Sequence, residues 1–465
     1  MEKYYPLSKS EEGIYISSLS EGDAYNLANT VNLKKKYDKE KIEKALNEVL
    51  KAHPYLNTIL KTNDDGRVVK YIKDDDIHLE LIKCDKVEIN SLPYDLLNNH
   101  LYRFKLYQVK DEYILYFDFH HLIMDGSSIK IFIDDLFLAL EGKPLIKETS
   151  NANDFALEEQ KDLASDKYIT AKAYYEKLVG DVECDSCLVE DKKDEVISYK
   201  NLRKELHISN KDVKKLTSKL GIKTSSFFLG AFAYLLSKYN MEDKALFLTV
   251  NNGRNEEVKH SFGSYVKTYP LYIEYDEGTS VSNLLKKINE ENILNVKNNI
   301  YPFSDLNKDL GVSSDVLFSY QGEYFYKGTL DNEEVHITPL LRRDGKEKLS
   351  VELHRDNDNF IIWIEYRSDL YYEETIEQFY TLFDTVLKEL LNKELLKDID
   401  LVSKEELDLL ESFNVIDTPY LEEGKTIIDD FENVARKFPN HPCVVFKDKE
   451  YSYQEVDDIT NRIAN

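Results

Sequence analysis

The sequence predicts an α/β protein built from two lobes of similar length and pattern. The chain has 465 residues, of which 42% are hydrophobic, so it can bury a large core. Helix-like and strand-like patterns alternate in residues 1–145 and again after residue 200, with a polar, charged stretch between them. We therefore expect an N-terminal lobe over residues 1–170 and a C-terminal lobe over residues 171–398.

In the first lobe, apolar residues recur at helical spacing over residues 38–50, and the aspartate that begins this run suits an N-cap. Residues 113–119 (YILYFDF) form the short, aromatic-rich apolar run typical of a strand buried on both faces. Ser127 or Ser128 can then cap a helix that ends near Gly142. These patterns predict a unit of strand, loop and helix.

The second lobe repeats this alternation of patterns. Thr224 can cap an apolar helix, and residues 245–250 (ALFLTV) indicate a buried strand. Residues 350–365 predict a hairpin that turns at residues 356–359, and residues 374–391 are typical of an amphipathic helix.

The charge of the chain argues against nucleic acid as a partner. Lys plus Arg number 61 and Asp plus Glu number 87, so the formal net charge of −26 would repel a phosphate backbone. No apolar run approaches the roughly 18 residues that a membrane helix needs, and the N-terminus lacks the apolar core of a signal peptide. We expect a cytoplasmic protein that binds neither nucleic acid nor a membrane.

The cysteines give little indication of chemistry. Cys84, Cys184, Cys187 and Cys443 are too few and too scattered for a disulfide framework. Only Cys184 and Cys187 have a spacing found in metal and redox sites, but a second ligand pair is missing and the surrounding stretch is acidic. We interpret the cysteines as free surface thiols rather than as a metal or redox site.

Residues 120–126 (HHLIMDG) hold the densest cluster of titratable groups beside apolar sequence. The expected strand delivers His120 and His121 to its end, and Asp125 follows on the turn. Gly126 permits unusual backbone angles or close approach of a substrate before the helix begins. Adjacent residues leaving a strand point in opposite directions, so one histidine can face a cavity while the other anchors the turn.

Less specific interpretations of this cluster are also open. Histidine pairs occur in metal sites, but a third ligand at helical spacing is missing here. Buried histidines are often core residues with satisfied hydrogen bonds, and Asp125 alone suits a turn residue or an ion-pair partner. The spacing of the two histidines, the aspartate and the glycine favours a functional loop.

This spacing resembles the HHxxxDG signature of the condensation domains of nonribosomal peptide synthetases, which belong with the chloramphenicol acetyltransferase-like acyltransferases. Other segments resemble the family's further motifs, in the family's order: residues 6–15 (PLSKSEEGIY), 53–58 (HPYLNT), 153–156 (NDFA), 262–271 (FGSYVKTYPL), 301–303 (YPF) and 315–321 (DVLFSYQ). The resemblance covers roughly residues 1–400.

The resemblance implies two chloramphenicol acetyltransferase-like lobes that form a pseudo-dimer with a tunnel between them. It also implies an acyltransferase that forms amide bonds in antibiotic biosynthesis. The α-amine of an acceptor aminoacyl thioester would attack a donor acyl or peptidyl thioester, both carried on the phosphopantetheine arms of carrier domains. The chain itself would bind no cofactor and no metal. Its partners would be the donor and acceptor carrier domains and the adjacent adenylation domain, and we expect a monomer.

The same resemblance assigns roles to the motif residues. His121 would face the reaction centre, as a general base or as a hydrogen-bond donor that positions the amine. His120 and Asp125 would maintain the loop, and the Gly126 N–H would bond the substrate or an oxyanion.

The chain departs from the family pattern in its second motif. Family members often carry an arginine there that pairs with the motif aspartate, but Asn57 stands at that position, and Ala52 and Pro54 replace the motif's usual arginine and glutamate. Asp125 therefore needs another partner, either Arg103 or hydrogen bonds alone, because an unpaired buried carboxylate is costly. Lys267 also stands where an asparagine is common.

Residues 426–465 resemble the start of an adenylation domain, and residues 399–425 indicate a linker before it. This order is that of an elongation module. A phosphate-binding glycine loop is missing, so we expect no adenylating activity. The final 40 residues are too few for an independently stable domain, so we expect the chain to stop inside a domain, and we expect no carrier domain upstream within it.

Three alternatives share parts of this pattern. A starter-type condensation domain would acylate the first amino acid with a fatty acyl group. An epimerisation domain has the same signature, but it usually follows a carrier domain and has a glutamate motif that we do not find in the second lobe. A noncatalytic condensation-like module that recruits partner proteins typically has a damaged histidine motif, whereas HHLIMDG is intact.

Overall fold

Two six-stranded sheets form the framework of the unit Met1–Leu401, and residues Val402–Asn465 form a second unit. The computed structural model describes residues 3–20, 22–33, 36–89, 91–180, 182, 186–276, 278–340, 345–414 and 425–464.

The first half of the larger unit alternates short strands and helices. In chain order they are β1 (Tyr5–Pro6), α1 (Lys9–Ser18), β2 (Asn26–Asn32), α2 (Lys39–Ala52), β3 (Thr58–Thr62), β4 (Val68–Ile72), β5 (Leu81–Lys83), β6 (Tyr102–Val109), β7 (Glu112–His120), α3 (Gly126–Leu140), α4 (Ala152–Leu163) and α5 (Asp166–Val179).

The second half has longer strands. They and their helices are β8 (Tyr199–Leu206), α6 (Asn210–Leu220), α7 (Thr224–Tyr239), β9 (Lys244–Asn251), β10 (Lys267–Glu274), α8 (Val281–Asn298), α9 (Phe303–Leu310), β11 (Val316–Glu323), β12 (Lys327–Leu330), β13 (Glu333–Pro339), β14 (Leu349–Asp356), β15 (Asn359–Arg367) and α10 (Glu373–Asn392).

The first large sheet has the order β12-β13-β2-β7-β6-β5, so two strands from the second half extend a sheet of the first half. β13 pairs antiparallel with β2, where Ile337 lies opposite Val31, and β2 pairs with β7, where Asn26 lies opposite His120. The second large sheet has the order β10-β9-β11-β14-β15-β8, in which β11 is parallel to both of its neighbours. The two halves are therefore joined by backbone pairing.

Each large sheet is covered by helices that bury an apolar stripe. In α2, the buried residues Ile42, Leu46 and Val49 recur at helical spacing, and they pack with α3 in the core of the first half. In α7, residues 226–237 are all buried, because this helix packs against β9 and β11 of the second sheet and against the helices α8 and α10. The cores lie on the helix side of each sheet.

Most of the predicted elements are confirmed. Asp38 caps α2 by accepting the Lys41 backbone N–H at 2.8 Å, and the apolar run 113–119 lies in β7. The predicted hairpin is β14 and β15, where Asp356 pairs with Asn359. These elements follow from local periodicity and turn chemistry.

Two predictions of helix caps are wrong. α3 begins at Gly126 with Asp125 as its N-cap, rather than at a cap supplied by Ser127 or Ser128. The Asp125 carboxylate accepts the Ser128 N–H at 2.8 Å and so satisfies one of the unbonded donors of the first turn. α7 begins at Thr224 itself, after Lys223, whose side chain makes no capping hydrogen bond.

The cysteines fit the prediction only in part. Cys187 is buried, with its sulfur 3.4 Å from the Tyr371 hydroxyl, so the prediction of a surface thiol is wrong for this residue. Cys184 lies outside the described residues, as do residues 415–424 of the predicted linker.

The second unit contains α11 (Lys404–Ser412), α12 (Ile427–Lys437), a hairpin of β16 (Pro442–Phe446) and β17 (Lys449–Ser452), and α13 (Tyr453–Ala464). Thr426 caps α12 in a reciprocal capping box with Asp429. Within the described ranges of the whole chain, no single helix is long and apolar enough to cross a membrane; α6 and α7 pass such a test only together, with a 97° bend between them.

Candidate active site

The histidine motif lies where β7 ends and α3 begins. The His120 backbone N–H donates to the Leu101 carbonyl at 2.8 Å, and the His121 N–H donates to the Tyr25 carbonyl at 2.8 Å. The end of the strand is therefore held from both sides, by the segments that precede β6 and β2. This backbone pairing fixes the direction of both imidazole rings.

His120 is buried and faces the interior, with 2% of its surface exposed. Its Nδ1 accepts the Leu122 N–H at 3.2 Å, and its ring lies edge-on to Tyr94 with centroids 5.5 Å apart. Burial, followed by the positive charges of His121, Lys346 and Arg103, lowers the pKa of His120 to about 3. His120 is therefore a neutral side chain that holds the turn.

His121 lines a cavity of about 1340 Å³ that lies between the two halves of the larger unit. The His121 Nδ1 lies 3.4 Å from the Ser264 hydroxyl, and the Tyr25 ring stands edge-on to the imidazole with centroids 6.4 Å apart. The first half contributes Tyr25, Leu27, His121 and Gly126 to the cavity wall, and the second half contributes Ser264, Gln321, Phe325 and Lys346. The two histidines thus face different surroundings, as the sequence predicts.

Asp125 is buried and forms an ion pair with Arg254 of the second half. The Arg254 Nη2 donates to the Asp125 Oδ1 at 2.8 Å and to the Ser128 hydroxyl at 2.7 Å. The Tyr265 backbone N–H donates to the Asp125 Oδ2 at 3.2 Å. The carboxylate therefore caps α3 and connects the motif to the loop between β9 and β10.

Arg254 is itself held by further contacts. Its Nη1 donates to the carbonyls of Val258 and Ser261 at 2.9 and 2.7 Å, and its guanidinium lies over the Tyr265 ring at 4.4 Å. The preceding Gly253 has a φ of 59°, and a Cβ there would overlap the Tyr265 carbonyl oxygen. Glycine is required at this position for Arg254 to reach Asp125.

The expectation that Arg103 could pair with Asp125 is wrong. The partner is Arg254, which sequence reasoning missed. Arg103 does not pair with Asp125; it lies 3.5 Å from Asp118, over the Tyr94 ring, and donates to two backbone carbonyls. Arg254 follows a buried strand at a Gly-Arg turn. The position of a charged residue just after a buried strand was the feature of the sequence that could have identified Arg254.

Gly126 is the first residue of α3, and its backbone N–H is one of the first four that have no partner within the helix. It lines the cavity beside His121. A Cβ at this position would lie 3.0 Å from the Phe325 Cζ. Glycine thus keeps the start of the helix open to the cavity.

Asn57 and Lys267, two of the positions that depart from the family pattern, lie in polar contacts. Asn57 is buried and its Oδ1 accepts the Tyr102 hydroxyl at 3.0 Å. Lys267 lines the cavity and forms a buried ion pair with Glu159, whose other oxygen accepts the Lys9 backbone N–H at 2.6 Å. Among the described residues, no group of three or more His, Cys, Asp and Glu is arranged to hold a metal ion.

Comparison with known proteins identifies the family. A family profile described as "Condensation domain" matches residues 1–411. Bacitracin synthase 1 of Bacillus licheniformis is 26% identical over 500 residues, which cover 100% of this chain and 9% of that protein. The chain therefore spans about a tenth of the length of this curated relative.

Solved structures share the fold. The first condensation domain of the calcium-dependent antibiotic synthetase, in complex with a substrate analogue, aligns with a TM-score of 0.71 and 15% identity, covering 86% of this chain and 100% of that one. A four-domain nonribosomal peptide synthetase bound to AMP and glycine aligns with a TM-score of 0.75 and 17% identity, covering 99% of this chain and 38% of that one. The sequence match and the shared architecture agree, and this chain belongs to the condensation domain family.

Proposed function

We propose that this chain forms amide bonds in nonribosomal peptide synthesis. It transfers an acyl or peptidyl group from a donor thioester to the α-amine of an acceptor aminoacyl thioester, with both substrates tethered to the phosphopantetheine arms of carrier domains. The observation that carries this proposal is the position of His121, which lines a cavity between the two halves beside the N-terminus of α3. Two tethered substrates can meet in a cavity of this kind.

The imidazole of His121 serves the transfer of a proton from the attacking amine. An α-amine titrates near 8 and is largely protonated at neutral pH, and its nitrogen must lose a further proton as the tetrahedral intermediate collapses. The imidazole can pass this proton to the sulfur of the donor arm, which leaves as a thiol when the C–S bond breaks. A histidine in this role contributes roughly 10²- to 10⁴-fold. Holding two tethered reactants in place contributes up to about 7 to 11 kcal/mol, so positioning is the larger effect.

Two groups beside His121 complete the site. The Gly126 N–H, at the N-terminus of α3, is suited to donate a hydrogen bond to the thioester oxygen as negative charge develops there. The Asp125–Arg254 pair and the buried His120 keep the turn in place. His121 is thus the catalytic residue, and Asp125 and His120 are positioning residues.

We also infer that residues 426–465 are the start of an adenylation domain. The alignment with bacitracin synthase 1 covers 100% of this chain, and the alignment with the four-domain synthetase covers 99% of it. An adenylation domain that follows a condensation domain is the order of an elongation module. The adjacent adenylation domain and the carriers would then be the partners of this chain, which acts in the cytoplasm.

The test is product formation from purified carrier domains loaded with donor and acceptor, followed by mass spectrometry. We expect an amide product with the parent chain and a loss of about 10²- to 10⁴-fold in rate for His121→Ala. The matched control is His78→Ala, since the His78 side chain is 83% exposed and lies outside the cavity wall. Thermal melts should show that both variants fold.

An unchanged rate for His121→Ala would remove this residue from the mechanism, and the absence of product from every donor would overturn the proposed function. Comparing aminoacyl, peptidyl and fatty-acyl donors distinguishes an elongation domain from a starter domain. A preference for the fatty-acyl donor would assign the starter role.

A further inference from the structure

Phe325 forms the part of the cavity wall that faces the first turn of α3. It lies in the short segment between β11 and β12 and lines the cavity. A Cβ built on Gly126 would meet the edge of the Phe325 ring first, with the Cζ at 3.0 Å and the Cε1 at 3.3 Å. The second half thus places an aromatic ring against the start of the helix that carries the motif glycine.

The backbone on both sides of Phe325 is held by hydrogen bonds. The Tyr324 N–H donates to the Arg355 carbonyl of β14 at 2.8 Å. The Ile337 N–H of β13 donates to the Tyr326 carbonyl at 2.9 Å. The segment that carries Phe325 is therefore fixed between strands of the two large sheets.

The Phe325 ring is also packed. Its centroid lies 4.5 Å from that of Tyr326 and 5.2 Å from that of the buried His354. Phe325 belongs to the core of the first half and is 8% exposed. Because its neighbours are close-packed, the ring cannot turn aside for a substrate without displacing them. It acts as a rigid wall.

The chemistry of the reaction decides which substrate meets this wall. The donor supplies the carbonyl that is attacked, whereas the acceptor supplies the attacking amine. In the proposed function the Gly126 N–H donates to the oxygen of the donor carbonyl. The acyl substituent on the same carbon then lies beside the first turn of α3, where Phe325 limits the space.

A second side chain beside Gly126 is polar. The Gln321 Oε1 lies 3.7 Å from the same Cβ position, and the Gln321 Nε2 donates to the Ser319 hydroxyl at 3.2 Å. An apolar group placed against this amide would remove it from hydrogen-bonding partners, which is unfavourable. Gln321 therefore offers a bulky apolar substituent no alternative space, and Phe325 sets the limit.

We propose that Phe325 is a specificity-determining residue, which limits the size of the donor substituent next to the reacting carbonyl. Donors with a small side chain at this position react, and donors with a bulky side chain are rejected. One methylene group more or less in such a pocket changes kcat/KM by roughly 10- to 200-fold. The inference rests on the proposed function, because it requires the donor carbonyl to lie at Gly126.

The test measures kcat/KM for carriers loaded with an alanyl or a phenylalanyl donor, with one alanyl acceptor throughout and mass spectrometry of the product. Phe325→Leu and Phe325→Ala widen the space in two steps. The matched control is Phe303→Ala, since Phe303 lines the same cavity from α9 but packs with the cluster that contains Tyr175 and Leu306. Thermal melts establish which variants fold, and Phe325→Leu is the milder change.

The parent chain should prefer the alanyl donor. The ratio of kcat/KM for the phenylalanyl donor to that for the alanyl donor should rise about tenfold or more in Phe325→Ala, and by a smaller factor in Phe325→Leu. Phe303→Ala should leave the ratio unchanged. With the alanyl donor held constant, the ratio for phenylalanyl and alanyl acceptors should be the same in every variant.

An unchanged donor ratio in the folded Phe325 variants would overturn the inference, and so would a parent that prefers the phenylalanyl donor. An equal change in Phe303→Ala, or in the acceptor ratio, would show that Phe325 does not act on the donor. A parent that forms no product from any loaded donor would contradict the proposed function and this inference together, whereas product with an unchanged donor ratio contradicts the inference alone.

Discussion

Arg254 donates a 2.8 Å hydrogen bond to the carboxylate of Asp125, from a position 129 residues further along the chain. The side chains are 5% and 1% exposed, so this ion pair is screened from water. It joins the β9–β10 loop of the second half to the turn that carries His121. The geometry of the histidine motif therefore depends on the packing of the two halves against each other.

Breaking this pair should destabilise the protein strongly. Arg254→Met leaves the Asp125 carboxylate buried without its cation, and we expect a loss of about 3 to 5 kcal/mol in the free energy of unfolding, measured in urea at pH 7. Asp125→Asn should also lose stability, because it leaves the Arg254 guanidinium buried. The double variant should lose less than the sum of the two single losses.

Lys130→Met is the control for this experiment. Lys130 pairs with Asp134 on the exposed side of α3, and its loss should cost less than about 1 kcal/mol. Additive losses for Arg254→Met and Asp125→Asn, or a thermal melt of Asp125→Asn identical to that of the parent, would contradict a structural role for the pair.

Gly126→Ala should reduce product formation without unfolding the protein. The new Cβ would lie 3.0 Å from the Phe325 Cζ, so either the ring moves into the cavity or the start of α3 shifts. We expect a rate loss of about tenfold, which corresponds to roughly 1.4 kcal/mol. Phe325→Leu in the same chain should restore most of the rate, because it makes room for the methyl group.

Gly278→Ala provides the comparison for this substitution, since a Cβ at Gly278 meets nothing within 4 Å. The steric explanation fails if Phe325→Leu gives no rescue, or if Gly278→Ala slows product formation as much as Gly126→Ala does.

His120 should make the protein less stable in acid. Its pKa in the folded protein is about 3, mainly because of burial, whereas an unfolded histidine titrates near 6.5. Below pH 6.5 the unfolded chain therefore binds a proton that the folded chain does not, and stability falls as the pH drops, by up to about 1.4 kcal/mol per unit. His120→Asn should flatten this slope in urea unfolding between pH 4 and 7, while His78→Asn should not.

His53 should show the opposite dependence. Burial opposes its charge, but hydrogen bonds and the charges of Asp135 and Glu148 outweigh burial and raise the pKa of His53. The Nε2 of His53 lies 2.6 Å from Asp135. The stability that the protonated ring contributes is present below pH 6.5 and is lost as the pH rises through the folded pKa.

The measurement for His53 is the stability lost in His53→Gln at several pH values. This loss should be larger at pH 6 than at pH 8.5. An equal loss at both values would show that folding does not raise the pKa of His53, and a larger loss at pH 8.5 would show that folding lowers it.

Local sequence patterns predict the individual elements and the order of the motif residues. The helix after Asp38, the strand that ends at His120 and the turn between β14 and β15 follow from periodicity and from residues within one or two turns of each other. The opposed directions of His120 and His121 also follow from the geometry of a strand.

Which distant residues complete the site depends on the packing of the folded chain. The Arg254–Asp125 pair, the contact of Lys346 with Tyr25 and the pairing of β13 with β2 each join segments more than 100 residues apart. Arg103 and Arg254 carry the same charge in the sequence, and their roles differ because the folded backbone brings one guanidinium to Asp118 and the other to Asp125. Local patterns encode the conformation of a segment, but which charges meet depends on how the two halves pack together.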